Sequence, residues 1–213
     1  MTKVLLFDLW GTLVENGTSS PTKQVQQALH IYMPFSSYIT TMEKAMMTSK
    51  FENIRDAFIA VANAFRVHPQ QEAIEHLIGV WNKSWMLTQP YEEIEEMLAQ
   101  LQTKYRLILV SNTDCFSAPK VIEKHNLQKY FEKIYLSYEL GMIKTDPQFL
   151  EKILQELNVT IDRCIFIGDS LQSDMAVAQR IGMKHILMDR RNGRDFHPKI
   201  TSLRELEQQM EQL

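Results

Sequence analysis

Five short apolar runs alternate with helical stripes along this chain, and that alternation restricts the fold more than any other feature of the sequence. The runs cover residues 3–8, 106–111, 134–137, 163–168 and 184–188. Apolar residues recur at helical spacing around them: Ile94, Met97, Leu98 and Leu101 before the second run, Phe149, Leu150, Ile153, Leu154 and Leu157 before the fourth, and Leu171, Met175, Ala178 and Ile181 before the fifth. Strands buried on both faces read as unbroken apolar runs. Strand–helix–strand units close through right-handed crossovers, so the pattern predicts an α/β fold with a parallel sheet covered on both faces. A last helix starts at Ser202, with Glu205 at capping-box spacing and Leu203, Leu206 and Met210 on one face.

Residues 16–89 break the alternation. They hold no convincing strand and are too long for an ordinary connection, which predicts a helical insertion. Val25, Leu29 and Tyr32 suggest its first helix, Phe58, Ala62 and Phe65 another, and Leu77, Trp81 and Trp85 a third. Trp81 and Trp85 lie one turn apart on a stripe shared with Ile74, Leu77 and Ile78, so both are expected to pack the insertion's own core.

The 213 residues suffice for one α/β domain with an insertion, and 45% hydrophobic with 23% charged content is that of an ordinary soluble protein. A formal net charge of -3 and the absence of a polybasic run argue against nucleic acid and anionic membrane as partners. Without a signal-like or membrane-length apolar stretch, the expected location is cytoplasmic. Cys115 and Cys164 are too few and too unpatterned for a disulfide framework or zinc site, and the six histidines lack metal spacing. Cys164 reads as a small core residue, while Cys115 lies near a chemically interesting loop. The sequence does not specify an oligomeric state.

The chemistry-bearing residues sit where the apolar runs end. Asp8 closes the first run before a Gly11-Thr12 turn, at the kind of strand-to-loop junction where open α/β sheets build ligand sites. Ser111 and Asn112 end the second run and offer phosphate-oxygen donors. Lys144 precedes a helix start set by Pro147 and can deliver a point charge. Asp169 and Asp174 follow the fourth run as hard oxygen ligands suited to magnesium.

In this order the segments resemble the motifs of the haloacid dehalogenase-like (HAD) hydrolase superfamily, across nearly the whole chain apart from details of the insertion. The resemblance implies a Rossmann-like parallel sheet with helices on both faces and an inserted all-helical cap. Residues 1–15 and 90–213 would form the catalytic core and residues 16–89 the cap. It also implies a magnesium-dependent hydrolase of small phosphorylated molecules, working through an aspartyl-phosphate. Asp8 would be the nucleophile, Thr12, Ser111 and Asn112 would bind the transferring group, and Lys144 would neutralise it. Asp8, Asp169 and the backbone carbonyl of Trp10 would hold Mg2+, with Asp174 supporting it through water.

One position departs from the phosphatase pattern. Phosphatases of the superfamily carry a second aspartate two residues after the nucleophile, and here that residue is Trp10. The absent acid would protonate the leaving alkoxide and then activate water, roles worth about 10² to 10⁴ in rate. The expectation is therefore a phosphatase impaired in general acid catalysis. Dehalogenases of the superfamily carry an aromatic residue there, which keeps 2-haloacid dehalogenation as an alternative. They require no magnesium and lack the acid seen here as Asp169, and Arg55 and Arg66 match no dehalogenase segment. A catalytically weak protein that binds a phosphate ligand is a third reading. Asp114 and Glu15 read as loop or hinge residues rather than substitute acids, Thr145 replaces a common proline after the motif lysine, and residues 189–195 read as a solvated turn.

Overall fold

The computed structural model describes residues 3–17 and 19–213. Among them six parallel strands form one sheet in the order β3-β2-β1-β4-β5-β6. They are β1 Val4–Phe7, β2 Arg106–Ser111, β3 Lys133–Leu136, β4 Cys164–Gly168, β5 Lys184–Met188 and β6 Lys199–Ile200. The chain is thus an α/β protein with a Rossmann-like sheet. Strand alternation divides its core: Leu5 and Phe7 of β1, Leu107 and Leu109 of β2 and Ile165 and Ile167 of β4 face one apolar cluster. Val4, Leu6, Ile108, Val110, Cys164 and Phe166 face the other, as the two-residue period of a strand requires.

Between β1 and β2 the chain forms α1 Pro21–Ala28, α2 Phe35–Met47, α3 Ile54–Ala64, α4 Gln71–Leu87 and α5 Ile94–Leu101. Helices α1 to α4 close around a third apolar cluster that includes Tyr38, Met42, Phe58, Leu77 and Trp81. The chain leaves the sheet and returns to it along adjacent segments: Glu15 N–H donates to the Gln89 carbonyl at 2.9 Å and Tyr91 N–H to that of Leu13 at 3.2 Å. The remaining helices are α6 Ala118–Lys124, α7 Ser137–Leu140, α8 Gln148–Leu157, α9 Ala176–Ile181 and α10 Leu206–Met210. Ser202 and Glu205 form the expected capping box.

The structure differs from the sequence reading in four places. Helix α2 was not anticipated, because its first half, Phe35 to Thr41, mixes apolar residues with hydroxyls. The first helix stops at Ala28, His30 turns through φ +52°, and Tyr32 is 92% exposed instead of completing its apolar stripe. The third strand lies one residue earlier than expected, with Ser137 opening α7. Strand β6 has only two residues, Leu187 pairing with Lys199 and Met188 with Ile200, too short for any periodic signal.

Candidate active site

Strand order places the chemistry. Strand β1 pairs with β2 on one side and β4 on the other, and ligand sites of open α/β sheets lie beyond the carboxyl ends of the strands where the order reverses. Asp8 leaves β1 there, its N–H donating to the Ile167 carbonyl at 2.9 Å. The following loop folds back on itself: Leu13 and Val14 N–H groups both donate to the Leu9 carbonyl, at 2.9 and 3.1 Å. Gly11 holds φ +73°, with Asp169 so near that any side chain would strike its carboxylate. Gly168 meets the same restriction from the Asp174 carboxylate.

Lys144 ties three of these segments together. Its Nζ lies 2.5 Å from Asp8 Oδ1 and 2.7 Å from Asp174 Oδ1, and the side chain is almost wholly buried. Its backbone N–H donates to Asn112 Oδ1 at 2.8 Å, so β2 and the loop after α7 are locked together. Asp174 Oδ2 accepts the Ser170 N–H at 3.0 Å, which leaves both of its oxygens engaged. Thr12 Oγ1 donates to Asp8 Oδ2 at 3.3 Å. Ser111 is fully buried at the end of β2, its hydroxyl 3.4 Å from the Asn112 carbonyl.

Carboxylates outnumber buried cations. Asp8, Asp169 and Asp174 each offer an oxygen within 4.8 Å of one another. Burial pushes the Asp8 carboxyl up to about 6, with Lys144 opposing the shift and Asp174 adding to it. Burial and the charges of Asp8 and Asp174 push Asp169 up to about 8. Burial pulls the Lys144 ammonium down, but its two carboxylate partners more than offset this and hold it protonated.

Asp8, Trp10, Asn112, Lys144, Asp169 and Asp174 line a single cavity of about 350 Å³, while Thr12 and Ser111 stand behind its wall. Helices α2 and α4 supply the opposite wall, including Glu43, Trp81 and Trp85. Trp10 is half-buried, its indole N–H 3.4 Å from Thr113 Oγ1. Asp114 is consumed by local structure: its carboxylate accepts the Phe116 and Ser117 N–H groups, the Ser117 hydroxyl and the Trp81 indole N–H.

Three outcomes correct the sequence reading. Trp81 packs edge-on against Phe58 within the helical insert, but its N–H reaches across to Asp114, and Trp85 packs against the sheet's cluster instead. The turn after β5 is not merely solvated. Arg190 stacks on Tyr91 at 3.9 Å and donates to Glu93 and to the Thr12 carbonyl, bracing the Asp8 loop. Arg194 donates to the Asp169 carbonyl and lies 3.8 Å from its carboxylate. The third is Glu43, which sequence reasoning missed. It accepts a hydrogen bond from Asn112 Nδ2 at 2.9 Å, and burial pushes its carboxyl up to about 7. The one available signal was its place as the sole acid of α2, beside the buried Met42.

Comparison with known proteins agrees with this architecture. Residues 2–182 match the haloacid dehalogenase-like hydrolase family, and the chain belongs to it. A phosphoglycolate phosphatase of Aquifex aeolicus is 26% identical over 193 residues, covering 87% of this chain and 84% of that enzyme. The crystal structure of a 2-haloacid dehalogenase from Pseudomonas syringae superposes with a TM-score of 0.63 at 19% identity, covering 100% of this chain and 99% of that one. A HAD family enzyme from Bacteroides thetaiotaomicron, solved in complex with magnesium and inorganic phosphate, gives 0.60 at 21% identity, with 92% and 98% covered. Among the described residues no helix is long and apolar enough to cross a membrane.

Proposed function

We propose that this chain hydrolyses small phosphorylated molecules through an aspartyl-phosphate formed on Asp8, with Mg2+ as cofactor. The observation that carries this reading is the buried Asp8–Lys144–Asp174 array beside the Asp169 carboxylate. A carboxylate approaches a phosphoryl dianion only where positive charge offsets the repulsion, and Lys144 stands against Asp8. Asp8 would attack phosphorus in line while Asn112 holds a phosphoryl oxygen at the cavity wall, and Thr12 and Ser111, buried behind that wall, would steady Asp8 and the Asn112 loop around the phosphoryl group. In this reading residues 1–15 and 90–213 form the catalytic core, and residues 16–89 are the cap that shapes the substrate cavity.

The donor set suits a divalent cation. The three carboxylates leave the site with excess negative charge, and all are hard oxygen donors. Asp8, Asp169 and the Trp10 carbonyl would hold Mg2+, with Asp174 behind them through water. Bound there, the ion would stabilise the charge that develops on the transferring phosphoryl group.

The metal-free chain should register this excess charge. Asp169 titrates near 4 when unfolded and at about 8 when folded, so the folded state binds its proton more tightly. Stability is therefore full below about pH 4 and declines as the pH rises towards about 8. Asp169→Asn should raise the melting temperature of the metal-free protein near pH 8 and leave it unchanged near pH 4, whereas added Mg2+ should stabilise only the native chain. Equal melting temperatures near pH 8, with equal responses to Mg2+, contradict the assignment.

Trp10 shapes the substrate preference. The Asp8 loop carries no acid for the leaving group, so aryl and acyl phosphates should outrun simple alkyl phosphates by at least about tenfold. Trp10→Asp should narrow that ratio, and an unchanged ratio in kcat/KM would show that position 10 has no bearing on the leaving group. The same aromatic residue supports the second reading, attack of Asp8 on a carbon bearing halide. Release of halide from 2-haloacids, with no phosphate released from p-nitrophenyl phosphate in Mg2+, would establish that reading in place of the first.

A further inference from the structure

Residues 9–14 of the Asp8 loop carry no acid, yet the wall facing it carries a carboxyl. Glu43 projects from α2 into the cavity that Asp8, Lys144 and Asp169 line from the sheet side. Helix α2 has no other acid, and its remaining charge, Lys44, is engaged by Asp146 at 2.6 Å. The orientation of Glu43 follows from its partner. Asn112 Oδ1 accepts the Lys144 N–H, so the Asn112 amide group must present Nδ2 to Glu43, and Glu43 Oε2 can only accept. Among the described residues Glu43 Oε1 has no protein partner. A proton on Glu43 therefore resides on Oε1, free to be given to a ligand in the cavity.

We propose that Glu43 is the general acid and base of this site, a role that rests on the phosphohydrolase reading above. When Asp8 attacks, the bond between phosphorus and the leaving oxygen breaks, and that oxygen takes the Glu43 proton and departs as the alcohol. Glu43 is left as a carboxylate. It then removes a proton from a water that attacks the aspartyl-phosphate. The bond between phosphorus and the Asp8 oxygen breaks, and inorganic phosphate, the Asp8 carboxylate and protonated Glu43 are regenerated.

The surroundings of Glu43 suit both halves of the cycle. Burial favours its neutral form, Asn112 and Lys144 favour the carboxylate, and Asp174 and Asp8 oppose it, which leaves the group at about 7. General acid–base catalysis is most effective with a group poised near the working pH. Because α2 belongs to the insert and Asn112 to the sheet, the donor is assembled only while the two lie together as they do here. The aryl preference expected above is then what remains after the contribution of Glu43.

Glu43→Gln keeps the shape and the acceptor oxygen for Asn112 but removes the titrating proton. On p-nitrophenyl phosphate, which needs little acid, this variant should release about one p-nitrophenolate per site in a burst. Steady turnover should then be slower by about 10² or more, with the phosphoryl group held on Asp8. On glycerol 2-phosphate its turnover should fall by about 10² to 10⁴ without a burst. Adding Trp10→Asp to Glu43→Gln should restore steady turnover on both substrates, because the loop then carries its own acid.

Native rates in Glu43→Gln on both substrates overturn the proposal. So does an equal slowing on both with no burst and no recovery in the double variant, which would mark Glu43 as a residue that only positions Asn112. If the native chain shows no Asp8-dependent turnover on either substrate, the phosphohydrolase reading falls, and this assignment falls with it.

Discussion

Asp8→Asn is expected to reduce phosphate release by roughly 10⁴ to 10⁶-fold, because it removes the group proposed to form the covalent intermediate. The loss should be chemical, not structural. An asparagine at position 8 still presents its oxygen to Lys144, with its amide nitrogen towards the Thr12 hydroxyl, which can accept as well as donate, and it removes one of three carboxylates crowded within 4.8 Å. Metal-free Asp8→Asn should therefore melt no lower than the native chain at neutral pH. Residual turnover within tenfold of native would place the nucleophile elsewhere, and a large drop in melting temperature would show that the charge balance has been misjudged. A steady-state assay and a thermal melt on one preparation separate the two.

Lys144→Met is expected to damage both activity and stability. The side chain is 2% exposed and contacts two buried carboxylates. Removing one partner of a buried ionic cluster leaves the others unpaired, at a cost of about 3–5 kcal/mol. Methionine fills most of the volume, so the cost is electrostatic rather than that of a cavity. Its pH dependence follows from the Asp8 carboxyl left behind. Burial already pushes Asp8 up to about 6 with Lys144 present, and without the lysine Asp8 remains protonated to higher pH. The unfolded chain still ionises it near 4, so the penalty is small in acid and grows as the pH rises through neutrality. Urea unfolding should show the gap between native and variant widening from acid to alkaline pH. A constant gap would point to lost packing against Phe166, which lies beneath the ammonium at 5.5 Å.

The sheet was legible because parallel strands buried on both faces have to be written as apolar runs. Leu107 to Val110 and Ile165 to Ile167 could not be solvent-facing in any fold of this length. The insert was less legible. Helix α2 mixes hydroxyls with methionines, and its stripe of Tyr38, Met42 and Met46 emerges only once the packing of α1, α3 and α4 is known. Strand β6 leaves no pattern in two residues.

At the site, residues borne by strand ends could be found, since strand register fixes their position relative to Asp8. Contacts between segments far apart in sequence left little signal. Glu43, Trp81 and Arg194 reach the cavity from α2, α4 and the turn after β5, at sequence separations that no local pattern connects. Arg190 is similar, joining Glu93 and Thr12 through a largely buried side chain, while Arg191, Asn192 and Gly193 just after it are exposed. Glu93 shows the strength of that brace. Burial opposes its charge, yet Arg190 and the Leu203 N–H hold its carboxyl down at about 2.

The central claim is that Asp8 becomes phosphorylated during turnover, and the most direct test is to catch it. The native chain, mixed with p-nitrophenyl phosphate and Mg2+ and quenched in acid, should yield one phosphoryl group on the peptide that contains Asp8, by mass spectrometry. The adduct should be absent from Asp8→Asn and should accumulate in Glu43→Gln. Phosphate release without any adduct in either the native chain or Glu43→Gln, or an adduct on a residue other than Asp8, would contradict the account.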